Sequence, residues 1–268
     1  MNEIINGLRP ALEQLEAAPR TARIFFRDDD VDEDEETLHR LVKIFLRHDV
    51  PVNLEIIPAR LTNAAIRALQ QYSHFWPHLL GLNQHGWQHL NHEPTGRRCE
   101  FGPARSFEQQ LQDLSQGRAL LAEAFGAAFF PVFTPPWNRC TATTFSALAE
   151  LGFPVLSKDR GREAVTGYGF QEIPITLDLY RWRDGAVMKA PADIISELRD
   201  QLSAGETIGI MLHHKVMDES AYEFLDLLVH GLSRQTGLEF HTFQSLLGSL
   251  GPVPRASASG TPAGTAAG

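Results

Sequence analysis

The succession of apolar segments constrains this chain most. Short strand-like runs alternate with stretches of helical periodicity almost from one end to the other. Residues 22–27 form an apolar run that leads into an acidic loop, and Leu38, Leu41, Val42, Phe45 and Leu46 then recur at helical spacing. Strands are predicted at 50–57, 79–83, 129–133, 154–156, 172–176, 207–212 and 238–241, and helices at 63–71, 143–151, 192–202, 221–232 and 243–250. Ser106 followed by Gln109 reads as a capping box that opens a long helix to about Phe125. Seven or eight strand–helix units in series argue for a parallel sheet with helices outside it. The length of 268 residues suits a closed or nearly closed (β/α) barrel better than a doubly wound sheet. No Gly-x-Gly-x-x-Gly or P-loop pattern follows any strand, which argues against a nucleotide fold.

Composition narrows the function classes. Apolar residues make up 43% and charged residues 21%, enough for a sizeable core. A net charge of −9 repels phosphates, so no nucleic-acid partner is expected. No apolar run reaches the roughly 20 residues of a membrane span, so no membrane partner is expected. Cys99 and Cys140 read as ordinary free thiols. The first ten residues lack a basic start and an apolar h-region, which makes the cytoplasm the expected compartment. The expected organisation is a helical lead-in at 1–20, a single barrel domain at 21–250 and a flexible Ser/Ala/Gly/Pro-rich tail at 251–268. Oligomeric state is left open.

In such a barrel, chemistry sits where strands end and their following loops begin. The first strand ends in Arg27-Asp28-Asp29-Asp30, and adjacent carboxylates repel unless a cation or proton neutralises them. Side chains alternate in direction at a strand end, so one aspartate could bind a metal while its neighbour acts as a base. The later acids, Asp32 to Glu36, are expected to favour a helix N-terminus. The third strand runs into His85-Gly86-Trp87-Gln88-His89-Leu90-Asn91-His92, three of the eleven histidines within eight residues. His85 and His89 would share a face if the segment is a helical turn, and two imidazoles with one carboxylate suit zinc with positions open for water. His92 is a third ligand, a supporting group or a substrate contact. Pro135-Pro136-Trp137-Asn138 makes a rigid loop that could aim the Trp137 N–H at an oxyanion, with Asn138 near the substrate. His213 and His214 end the penultimate strand, where imidazole can donate a proton near neutral pH.

Together these residues resemble the polysaccharide deacetylase superfamily, metal-dependent deacetylases of the carbohydrate esterase type. The counterparts of its motifs are Asp29-Asp30, His85-Gly86-Trp87-Gln88-His89, Pro136-Trp137 and Leu212-His213, in the right order over roughly residues 21–250. The resemblance implies an irregular (β/α)7–8 barrel and removal of an acetyl or other acyl group from an N-acylated sugar or glycan. It implies one divalent ion on Asp30, His85 and His89, Zn²⁺ before Co²⁺, Ni²⁺ or Mn²⁺. Asp29 would be the base, His213 or His214 the acid, and Trp137 an oxyanion donor. Asn138, His92 and Trp182 would touch substrate, with Asp178 or Trp182 orienting the acid or packing under the acyl methyl. The partner would be a small-molecule or oligosaccharide N-acyl substrate. The chain departs from the pattern in three places. Asp28-Asp29 offers a second register for the acidic pair, Gly86 stands where a hydroxyl residue is usual, and Phe133-Thr134 stand where an arginine often precedes the Pro-aromatic loop, with Arg27 the candidate to supply that charge. A non-cleaving glycan-binding module, or a barrel isomerase or metal hydrolase of another superfamily, are the competing readings.

Overall fold

A computed structural model describes residues 2–17, 21–161, 164–183, 185–205 and 207–250. The expected tail at 251–268 and residues 1 and 18–20 of the expected lead-in lie outside the described residues. Helix α1 (Asn2–Glu16) precedes β1 (Ala22–Val31), α2 (Glu36–His48), β2 (Val52–Ile56), α3 (Asn63–Phe75) and β3 (Leu80–His85). Then come α4 (Phe107–Phe125), β4 (Phe129–Thr134), α5 (Ala142–Glu150), β5 (Val155–Leu156), β6 (Gln171–Glu172) and β7 (Leu177–Asp178). The chain closes with a hairpin of β8 (Tyr180–Arg181) and β9 (Val187–Met188), then α6 (Pro191–Ala204), β10 (Ile208–Leu212), α7 (Glu219–Ser233), β11 (Leu238–Phe240) and α8 (Phe243–Leu250).

The main sheet runs β6-β5-β4-β3-β2-β1-β10-β7, every neighbouring pair parallel, with β11 beside the start of β1. Its two edge strands, β6 and β7, are separated in the chain only by residues 173–176, so the sheet curls into a distorted (β/α) barrel that nearly closes. The single strand expected at 172–176 is therefore two short ones, broken around Pro174, which has no N–H to give a ladder. The capping box at Ser106 and Gln109 forms as predicted.

Packing separates the two ends of the barrel. Below the polar layer, Phe25, Val132 and Val155 cluster with Phe243 and Leu246 of α8, which plug the lower mouth, while Met211 reaches up to the Arg27 guanidinium. Towards the strand ends the buried side chains turn polar: Arg27, Asp29, Glu55, His85, Thr134 and Ser157. Unpaired, each of these would cost roughly 1–3 kcal/mol or more to bury, so their partners decide whether this layer is tolerable. The outer core joins α1, α2, α6 and α7 to the other face of the sheet.

Candidate metal centre

The acidic triplet is divided by strand alternation and one bulge. β1 does not end at Arg27 but continues through the acids to Val31, with a register shift against β2 between Asp28 and Val31. Arg27 and Asp29 lie on the same side of the strand, and the Arg27 fork grips both Asp29 oxygens at 2.8 and 2.7 Å. Arg27 also donates to the Ser157 carbonyl at 3.1 Å and to Asn138 Oδ1 at 2.8 Å, and it is fully buried. Asp28 points to the other side and holds His214. At the bulge Asp30 adopts φ 72°, a left-handed conformation uncommon for a residue other than glycine. That turn brings Asp30 back towards the barrel axis.

Asp30 Oδ1 there lies 3.4 Å from His85 Nε2 and 3.2 Å from His89 Nε2. One ligand atom from each of the three falls within 4.8 Å of the others. Oδ1 is buried without a hydrogen-bond partner, the condition of an atom awaiting a cation. Burial opposes the charge on Asp30, yet the close approach of His85 and the positive fields of His85, His89 and His213 hold its carboxyl well below the usual range. Burial and the neighbouring His85 lower His89 to about 4, so its ring is neutral and has a lone pair to offer near pH 7. Burial also works against a proton on His85, but Asp29 and Asp30 outweigh it and raise that ring. A divalent ion would supply a stronger positive charge at the same place, held by Asp30, His85 and His89. A carboxylate with two imidazoles fits such an ion in donor chemistry as well as in spacing.

The histidines converge without a helix. His85 closes β3, and the segment after it is irregular, with φ 58° at Gly86 and 57° at His89. The helical-turn geometry considered for His85 and His89 is thus replaced by two left-handed residues. This explains the missing hydroxyl residue of the motif. A Cβ on Gly86 would lie 2.2 Å from Glu100 Oε2 and 2.5 Å from Pro136 Cγ. Glu100 supplies the support instead: its buried carboxylate accepts from the Trp87 N–H at 3.2 Å and the Gln88 N–H at 2.7 Å. His92 does not follow the pair. It is exposed, in a stretch of loop tied by its own N–H to the Cys99 carbonyl at 3.0 Å, and it is not among the grouped ligands.

Beneath the site, His85 Nδ1 lies 3.0 Å from Thr134 Oγ1, whose hydroxyl donates to Glu55 Oε2 at 2.8 Å. Assigned from this network, the His85 proton sits on Nδ1 and leaves Nε2 facing Asp30. Burial pushes Glu55 up to about 8, the nearby Arg27 only partly offsetting it. Glu55, Glu100 and Thr134 are functional neighbours that do not stand out in the sequence as site residues. An acid inside the apolar run of β2 was a readable signal for Glu55; Glu100 had none.

On the far side stand His213 and Trp182, rings 4.5 Å apart, with His213 Nε2 3.9 Å from Asp178 Oδ1. Asp178 accepts from Trp182 Nε1 at 2.7 Å, which fixes that half-exposed indole beside His213. The Trp137 ring lies 4.4 Å from that of His89, tilted by 57°, and its backbone is left-handed at φ 56°, ψ 18°. Asn138, also left-handed, has its side-chain carbonyl on Arg27 and so supports Asp29. His214 is turned away and fully buried, its Nδ1 2.6 Å from Asp28. Asp32, expected at a solvated helix start, is buried and pairs with Arg60 at 2.8 Å and with Lys215.

Comparison with known proteins places the architecture. A candidate polysaccharide deacetylase from Mycobacterium smegmatis superposes with a TM-score of 0.68 at 16% identity, over 91% of this chain and 96% of that one. The chain has the fold of the polysaccharide deacetylases. A family 4 acetyl xylan esterase from Clostridium thermocellum, solved with a cobalt ion, has a TM-score of 0.55 at 15% identity, over 85% of this chain and 91% of that one. A CE4 family pseudoenzyme from Bacillus anthracis has a TM-score of 0.55 at 14% identity, over 86% and 66%. No family sequence model matches the chain, and no curated protein matches it by sequence. Among the described residues, no helix is long and apolar enough to cross a membrane.

Proposed function

We propose that this chain is a metal-dependent hydrolase that removes an acetyl or other acyl group from the nitrogen of a sugar or glycan. The observation that supports it most is the grouping of Asp30, His85 and His89 around one point, with Asp29 and His213 beside it. A divalent ion there, Zn²⁺ first and Co²⁺, Ni²⁺ or Mn²⁺ as substitutes, supplies the Lewis acid that activates water and polarises the acyl carbonyl. Asp29, gripped by Arg27, accepts the proton of the attacking water. The Trp137 N–H donates to the developing oxyanion, an interaction worth about 3 kcal/mol in comparable sites. His213 protonates the departing amine, and Asp178 and Trp182 hold its ring. The indole of Trp182 offers an apolar face for a sugar ring.

The test is to load the chain with Zn²⁺ and supply N-acetylglucosamine oligomers and a panel of small N-acyl sugars. The reading predicts free acetate and a new primary amine in equal amounts, both abolished in Asp29→Asn. Binding of glycan with no acetate from any metal form would favour a non-cleaving module, a reading to which the pseudoenzyme of the same fold lends weight.

A further inference from the structure

Asp28 and His214 are not among the grouped metal ligands, yet they form a fully enclosed pair. The Asp28 carboxylate accepts two bonds from the same residue: the His214 backbone N–H at 2.9 Å and its ring Nδ1–H at 2.6 Å. Their side chains are 0% and 1% exposed. His214 opens a single 3₁₀ turn, His214–Val216, whose preceding residue is His213. The same turn is tied down by Lys215 on Asp32 and by the Tyr222 hydroxyl, which donates to the His214 carbonyl at 3.1 Å. Asp28 itself is paired in register with Leu212 and immediately precedes Asp29 at the start of the bulge. One carboxylate therefore joins the strand that presents Asp29 and Asp30 to the turn that presents His213.

We propose that Asp28 and His214 are a clamp that fixes the position of His213 relative to Asp29 and Asp30, and so act as positioning residues for the acyl transfer. This rests on the function proposed above. The clamp sets the separation between the group that takes a proton and the group that gives one. Trp182 and Asp178 flank the His213 ring, but neither of its buried ring nitrogens makes a hydrogen bond, so the backbone of the turn has to set where the ring stands. Two bonds to one residue fix both the backbone and the side-chain torsion of His214. Lys215 and Tyr222 anchor the far side of the turn, and the two Asp28 bonds fix the side that carries His213. Misplacement by about 1 Å can cost about 100-fold in rate.

The experiment compares zinc-loaded wild type, Asp28→Ala, Asp28→Asn and His214→Asn in three measurements. These are zinc per chain, kcat and KM for acetate release, and the rate at which diethyl pyrocarbonate acylates His213, mapped by mass spectrometry and normalised to exposed His74. In Asp28→Ala the clamp predicts unchanged zinc and KM, kcat lower by about 10- to 100-fold, and His213 acylation faster by about tenfold as the turn opens locally. Asp28→Asn, which keeps size and one acceptor, changes less in the same direction and serves if the alanine variant does not fold. His214→Asn, whose amide can still donate to Asp28, keeps both readouts close to wild type. Wild-type acylation and kcat in either Asp28 variant would overturn the clamp, and so would loss of zinc, which would mean that Asp28 acts on Asp30 instead. Should wild type release no acetate while Asp28→Ala still exposes His213, the clamp stands and the deacylation reading falls.

Discussion

Glu55 is the buried acid with the sharpest pH consequence. It sits under the candidate metal centre with Oε2 on the Thr134 hydroxyl and Oε1 without a partner. Its carboxyl titrates near 4.5 when unfolded and is pushed up to about 8 in the fold, chiefly by desolvation. Between those values the folded chain carries a proton that the unfolded chain has lost. Stability therefore falls as pH rises across the window and levels off above it. Glu55→Gln has no proton to take up, and its amide oxygen can still accept from Thr134. At about 1.36 kcal/mol per pH unit, the wild type loses about 4 kcal/mol relative to the variant between pH 5 and pH 8. For a chain of this size that is about 8–16 °C in Tm. Scanning calorimetry of both proteins with chelator present, at steps from pH 5 to 9, measures it. The variant gains on the wild type until about pH 8 and then runs parallel. A Tm difference that stays constant across the range would refute the assignment of a neutral, buried Glu55.

Other outcomes follow from the same geometry. His89→Ala loses stoichiometric metal by elemental analysis while its circular dichroism stays native; full occupancy would remove His89 from the ligand set. Asp29→Asn keeps the metal and loses turnover, and loss of metal instead would shift the register to Asp28-Asp29. Gly86→Ser, which restores the hydroxyl of the family motif, weakens zinc binding rather than improving it, because its Cβ has no room beside Glu100 and Pro136 at φ 58°. Glu100→Ala frees the Trp87 and Gln88 amides and lowers zinc affinity about 10- to 100-fold by competition with a chelator.

The parts of this site that the sequence revealed are those written locally. Strand ends rich in acids and histidines stand out against apolar runs, and their order along the chain matched a known pattern. What stayed hidden depends on side-chain direction and on contacts across long loops. Nothing local says which of the three acids face the axis; alternation sends Asp28 and Asp29 to opposite sides, and the bulge in β1, set by pairing with β2, turns Asp30. Of two adjacent histidines, His213 turns towards Asp178 and His214 towards Asp28, which is 186 residues away in the chain. Arg27 could be guessed as a replacement charge. Its grip on Asp29 was not visible until alternation put the two on one face, with Ser157 and Asn138 arriving from other strand ends. The helical spacing of His85 and His89 suggested the right convergence through the wrong geometry. Two left-handed residues, unreadable without the loop that Glu100 supports, bring it about.

Titration of the metal-free chain with Zn²⁺ by calorimetry, in wild type, Asp30→Asn and Asp28→Asn, tests the centre most directly. The account predicts one ion per chain for wild type and Asp28→Asn, and no stoichiometric binding for Asp30→Asn. Tight binding by Asp30→Asn, or none by wild type, would contradict it.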